Sequence, residues 1–206
     1  EKKEKKDKKE KKEKKKGKKD DSDSDSDAGQ GDQNLEYNDP EVKEVVEIIK
    51  ALNEGKGGKA KREEIFEEVR MHQLAKLFDH KVRLYIILEA LCGTSMDAGA
   101  LEKAGKVVVY LIENGRMTAE DILWTFDAYL SQNGDAAKGF PMVLKVIYDE
   151  EWVKEKDILE YYNDDKGEGA PGFAEAKKVS APFLKWLETA DSSDDDDDDD
   201  SDSDSY

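Results

Sequence analysis

Cysteine is almost missing from this 206-residue chain. Cys92 stands alone at the end of the apolar run Leu84 to Leu91, so no internal disulfide forms and a buried, reduced thiol is expected. That favours a cytoplasmic or nuclear setting, and cytoplasm is the expected location. Histidine is nearly as scarce: His72 and His80 are the only two, and neither sits at metal-ligand spacing from Cys92 or from paired carboxylates. No run approaches the roughly 18 apolar residues of a membrane helix, and no hydrophobic segment follows the lysine-rich start. The chain is therefore expected to be soluble and unanchored. A phosphate-binding glycine loop is lacking too, because Gly55-Lys56-Gly57-Gly58-Lys59 misses the first glycine at the required offset and follows no strand; it reads as a connector. No enzyme is visible, and no cofactor or metal is expected.

What is abundant is charge. Asp and Glu number 51 against 34 Lys and Arg, a formal net charge of −17. Its distribution is blocky. Residues 1–19 hold 13 lysines and five acids, residues 20–27 hold five aspartates, and residues 191–206 hold ten, which leaves −10 on residues 28–190. Segments of this kind have no apolar face to bury, so 1–33 is expected to be a disordered linker and 191–206 a disordered tail around one folded domain at 34–190. The chain opens at Glu1, not at a methionine, which suggests a piece of a longer protein. An acidic domain calls for basic partners. Direct RNA contact by the domain is disfavoured, since phosphate affinity comes from Lys and Arg; only the lysine run offers a weak RNA-binding element.

Within 34–190 the apolar residues recur at helical spacing. Val42, Val45, Val46, Ile49 and Leu52 make one stripe behind an Asp39-Pro40 start, giving a helix over about 40–53. Ile65, Phe66, Val69, Leu74, Leu77 and Phe78 mark a second, with a turn near Asp79. Residues 82–92 are apolar on nearly every side, as befits a central helix covered by neighbours. Leu101, Ala104, Val107, Val108, Leu111 and Ile112 form a fourth, closed by Asn114-Gly115. Thr118 caps a fifth carrying Ile122, Leu123, Phe126 and Tyr129, closed by Asn133-Gly134. Pro141 opens a sixth, Ile158 to Tyr162 make a seventh, and Ser180 is expected to cap the last, with Phe183, Trp186 and Leu187. No segment alternates like a strand. About eight helices joined by short polar turns predict an all-α, HEAT-like fold of antiparallel hairpins.

Carboxylates are too numerous here to mean an acid and base pair, because catalysis needs two environments that drive pKa values apart. Their placement beside aromatics carries more information. Met142 to Trp152 (MVLKVIYDEEW), then Lys154 to Tyr162 (KEKDILEYY), then Phe183 to Glu188 (FLKWLE) set acids against large rings. Leu144, Ile147, Leu159, Phe183 and Leu187 read as core. Trp152 and Trp186 read either as core aromatics or as exposed anchors, and both hold at once if one helix face packs while the other binds. The candidate partner-binding residues are Tyr148, Asp149, Glu150, Glu151, Trp152, Glu155, Glu160, Trp186 and Glu188. Aromatic anchors would supply area and cation attraction while the carboxylates steer a lysine-rich segment.

FPMVLKVIYDEEWVKEKDILEYY and, downstream, KKVSAPFLKWLETADSSDDDD resemble the two acidic and aromatic boxes that close the tryptophan-acidic domain family of translation initiation factors. The resemblance covers about residues 60–195 and is strongest after Phe140. APFLKWLE running into acids, with a lysine-rich linker upstream, is most similar to the initiation factor 5 branch; the epsilon subunit of initiation factor 2B and the factor 5-mimic regulators are the alternative branches. The family's earlier box falls near Leu84 to Asp97, where Gly93-Thr94-Ser95 stand in place of acids. The resemblance implies an atypical HEAT domain that acts as a monomeric adaptor, binding lysine-rich segments of the initiation factor 2 beta subunit, initiation factor 3 subunit c and initiation factor 1 on the small-subunit preinitiation complex. It also implies that a GTPase-activating half lies outside this chain. Ser192 and Ser193, directly before seven aspartates, and Ser22, Ser24 and Ser26 match the acidic context that casein-kinase-type enzymes prefer, so Ser192 and Ser193 are the phosphorylation candidates.

Overall fold

The computed structural model describes residues 35–190; the linker 1–33 and the tail with Ser192 and Ser193 lie outside the described residues. Eight α-helices occur among those residues, and no strand: α1 Pro40–Gly55, α2 Arg62–Lys76, α3 His80–Cys92, α4 Ala98–Gly115, α5 Ala119–Gln132, α6 Phe140–Asp149, α7 Glu155–Asn163 and α8 Phe173–Ala190, with a 3-10 turn Gly134–Lys138 before α6. They pack in two layers. The odd helices neighbour one another in order, α1 on α3, α3 on α5 and α5 on α7, and the even helices do the same from α2 through α8. The layers are joined by α1 on α2, α3 on α4 and α7 on α8, which is the all-α, HEAT-like construction expected from the helix lengths.

α3 lies at the centre because it has no polar face to offer water. Leu84, Ile86, Ile87 and Leu88 are wholly buried, and α1, α2, α4 and α5 cover it. The early box is therefore core from Leu84 to Leu88, and Gly93, Thr94, Ser95 and Asp97 after the helix are exposed. Cys92 is half-buried, and burial pushes its thiol up to about 12. α5 starts as its sequence dictates: the Thr118 hydroxyl accepts from Asp121 N–H at 3.1 Å and the Asp121 carboxylate accepts from Thr118 N–H at 3.0 Å.

Several local expectations are corrected. The last helix begins at Phe173, seven residues before Ser180, because Phe173 and Ala176 are already buried; Ser180 sits inside the helix with a buried hydroxyl that has no partner among the described residues. Pro182 also lies inside α8, on its exposed side, where it removes one backbone bond from the helix. Asp39 stands at the N-cap of α1 with Pro40 in its first turn, as the sequence suggests, but its carboxylate accepts from Glu36 N–H at 2.7 Å and not from the helix. α4 turns left-handed at Arg116 and not at the glycine before it. Leu74 and Leu77 are 68% and 51% exposed, and Leu77 is the left-handed residue that ends α2, so this helix buries only Ile65, Phe66 and Val69.

Candidate functional site

The segment from Tyr148 to Glu155 is shaped by the way α6 stops. Glu151 N–H donates to the Tyr148 carbonyl at 3.0 Å and Trp152 N–H to the Ile147 carbonyl at 3.0 Å, with Glu151 left-handed at φ 56°. That is the Schellman arrangement, with a glutamate where glycine costs least. Its effect is directional: Glu150 and Glu151 stand in solvent, while Trp152 turns inward until its ring comes within 3.5 Å of the place a Cβ on Gly105 of α4 would occupy. Val153 is buried behind it, and α7 begins at Glu155.

α7 buries Ile158, Tyr161 and Tyr162, which leaves Glu155, Leu159 and Glu160 on its outer side. Together with the end of α8 they wall an open groove of about 560 Å³ that also takes in Lys156, Asn163, Asp164 and Glu188. Four carboxylates thus face one ammonium. Within it Asn163 Nδ2 donates to Glu188 Oε1 at 2.5 Å. Glu160 is matched by Lys156 at 3.6 Å and hydrogen-bonded by Lys166, and the Lys166 bond holds its carboxyl below the usual range.

A second patch forms where α6 meets α8. Trp186 is 44% exposed, stacks on Phe183 at 5.8 Å between ring centroids and meets Tyr148 edge-on at 6.0 Å. Over its face, 5.6 Å from the ring centre, lies the Lys145 ammonium, which also donates to both Asp149 oxygens at 2.8 and 2.5 Å. Glu150 and Trp152 line a third place, a cleft against α4.

The nine residues expected to form one interface are therefore distributed. Glu155, Glu160 and Glu188 share the groove; Tyr148, Asp149 and Trp186 share the aromatic patch; Glu150 and Trp152 share the α4 cleft, and Glu151 stands in the turn. Asp149 and Glu160 are already paired, whereas Glu150, Glu151 and Glu155 form no ion pair among the described residues. Sequence reasoning missed Asp164, Lys156 and Lys145. Asp164 was legible as the residue one turn after Glu160, and Lys145 as the i,i+4 partner of Asp149.

Behind the groove is a buried polar junction. Asp127 of α5 is wholly buried and accepts from the Tyr161 hydroxyl at 2.9 Å and from the Tyr162 hydroxyl at 2.7 Å. Desolvation pushes its carboxyl up to about 7 against the lowering effect of those two bonds. α7 is thereby tied to α5 by hydrogen bonds as well as by apolar contact. Among the described residues no group of three or more His, Cys, Asp or Glu is placed to hold a metal ion, and no helix is long and apolar enough to cross a membrane.

Comparison with known proteins adds to this geometry. A family model described as W2, eIF4-gamma/eIF5/eIF2-epsilon, matches residues 118–197, the stretch from the α5 cap through the groove and into the tail. Eukaryotic translation initiation factor 5 of Zea mays is 36% identical over 63 residues, which is 31% of this chain and 14% of the length of that protein. No solved structure matches the chain.

Proposed function

We propose that residues 118–197, which match the W2 model described as eIF4-gamma/eIF5/eIF2-epsilon and include a stretch similar to initiation factor 5, belong to an assembly adaptor which captures lysine-rich segments of other initiation factors. The partners proposed are the beta subunit of initiation factor 2, subunit c of initiation factor 3, and initiation factor 1. The observation that carries the reading is the run of unpaired acids Glu150, Glu151 and Glu155 leading into a groove of four carboxylates. A lysine-rich strand or helix laid along Glu150, Glu151 and Glu155 would trade water for carboxylates without having to break an ion pair first, whereas at Glu160 it would have to exchange with Lys156 and Lys166.

Lys145 supplies an internal example of the chemistry. One ammonium, one carboxylate and one indole face already meet at Lys145, Asp149 and Trp186. A partner lysine would find the same carboxylate and indole face only by displacing Lys145, so the aromatic patch is the secondary contact and the groove the primary one. Such exposed pairs are individually weak, so capture rests on several lysines acting together and on electrostatic steering.

The test is calorimetric titration with a synthetic lysine-rich peptide at low and at moderate salt. Affinity is expected to fall steeply with salt, and Glu150→Lys with Glu151→Lys and Glu155→Lys is expected to weaken binding by on the order of 30-fold at low salt, because three modest attractions become repulsions. A triple variant that keeps its helical circular dichroism and binds unchanged rejects the site. The carboxyl-terminal domain of an eIF2-epsilon-type exchange factor is the second reading, since the matching family description includes it. A nucleotidyltransferase-like domain on the same polypeptide would favour that reading, and a zinc ribbon would favour the initiation factor 5 type.

A further inference from the structure

One face of this acidic domain has the opposite sign. Between α2 and α4 runs a trough of about 380 Å³ whose walls include Arg62, Lys103, Lys106, Ile65 and Leu91, with no acid among the residues that line it. Lys103 and Lys106 stand one turn apart on α4, both exposed, and neither forms an ion pair among the described residues. Arg62 is held over the Tyr110 ring at 4.8 Å and pairs with Glu63 at 2.8 Å. The trough shares Arg62 and Lys106 with the cleft that ends on Trp152, a space of about 300 Å³ bordered also by Glu102 and Glu150. There the Trp152 indole N–H is buried and has no hydrogen-bond partner among the described residues. Two lysines without partners and an orphan N–H donor make a site for a chain of carboxylates.

We propose that this trough docks the chain's own aspartate tail, residues 191–206. Charge complementarity singles the tail out: it carries ten aspartates, and a domain of net −10 repels it from its other faces. Reach is no obstacle, since 16 residues extend up to about 50 Å, beyond the roughly 40 Å across a domain of this size. The docked tail covers the trough's lysines, so the domain shows acid on every side, free phosphodiester chains find no basic groove, and lysine-rich partners are drawn to α7 and α8. Phosphate on Ser192 or Ser193 would tighten the docking by adding charge. This inference does not rest on lysine capture by the groove, and either can fail alone.

The experiment uses a labelled peptide of residues 190–206 and three proteins at low salt: the whole chain, the chain ended after Ala190, which loses no described residue, and the ended chain with Lys103→Glu and Lys106→Glu. The ended chain is expected to bind the peptide about tenfold or more tighter than the whole chain, whose tethered tail competes at an effective concentration near millimolar. The double reversal is expected to abolish that binding. Because residues 1–19 hold 13 lysines that attract any acidic peptide, binding that survives the reversal assigns the peptide to that run and overturns the proposal. Equal binding by the whole and ended chains overturns it as well. Should the reversal unfold the protein, Lys103→Gln with Lys106→Gln reads the same loss without adding acids.

Discussion

Asp127→Ala is expected to destabilise the domain by about 3 kcal/mol, because it strands two buried tyrosine hydroxyls, each of which costs about 1–3 kcal/mol without a partner. Tyr162 is wholly buried and Tyr161 nearly so, and each hydroxyl donates to an Asp127 oxygen. Asp127→Asn keeps an acceptor and is expected to cost far less. The carboxyl also gives stability a pH dependence with a definite sign. Its pKa is raised from the ordinary carboxylate range to about 7, so between those values the folded state holds a proton that the unfolded state has released. Stability is then greatest at the acid end of the window and falls as pH rises toward 7, by about 1.4 kcal/mol per unit from this one group. Urea unfolding at pH 5.5 and 7.5 checks it: the natural chain should lose stability relative to Asp127→Asn across that interval. A constant difference between the two would mean that Asp127 is ionised throughout.

Gly172→Ala is expected to act on the same junction from the α8 side and to cost about 3 kcal/mol, combining overpacking with a left-handed backbone. Gly172 has φ 83°, and a Cβ there would stand 2.3 Å from the Asp127 carbonyl oxygen and 3.0 Å from the Ser131 Cβ. A backbone carbonyl within a helix cannot give way as a flexible side chain would, so α8 must move off α5. In thermal unfolding that corresponds to a fall of about 10 °C for a domain of this size. The groove should suffer too, since α8 brings Glu188 to it. An unchanged melting temperature would show that the chain reaches α8 by another path.

The helical architecture was legible because apolar spacing alone decides which face of a helix packs. α1, α4 and α5 declare themselves by stripes, and α3 by having apolar residues all round, which marks a helix surrounded by others. Helix ends were less legible where the local chemistry pointed elsewhere. Ser180 followed by Pro182 looks like a start, yet Phe173 stacks on Tyr162 at 5.8 Å and draws the helix back by two turns. Leu74 and Leu77 continue an apolar pattern that no neighbouring helix covers. The acids themselves were legible, but their pairing was not. Lys166 reaches Glu160 from beyond the end of α7, and the Trp152 cleft is completed by Arg62 some 90 residues earlier. Asp127 gave no signal at all, because its partners lie 34 and 35 residues away and an aspartate on a helix reads as solvated until the fold closes over it.

The claim that the acidic groove of α7 and α8 captures lysine-rich segments is tested most directly by titrating the isotope-labelled chain with a lysine-rich peptide and following its amide and indole resonances. The account predicts shifts that gather on Glu150, Glu151, Glu155, Leu159 and Glu160, extend to the Trp186 indole as Lys145 is displaced, and disappear at high salt. Shifts confined to other helices, or none at low salt, would contradict it.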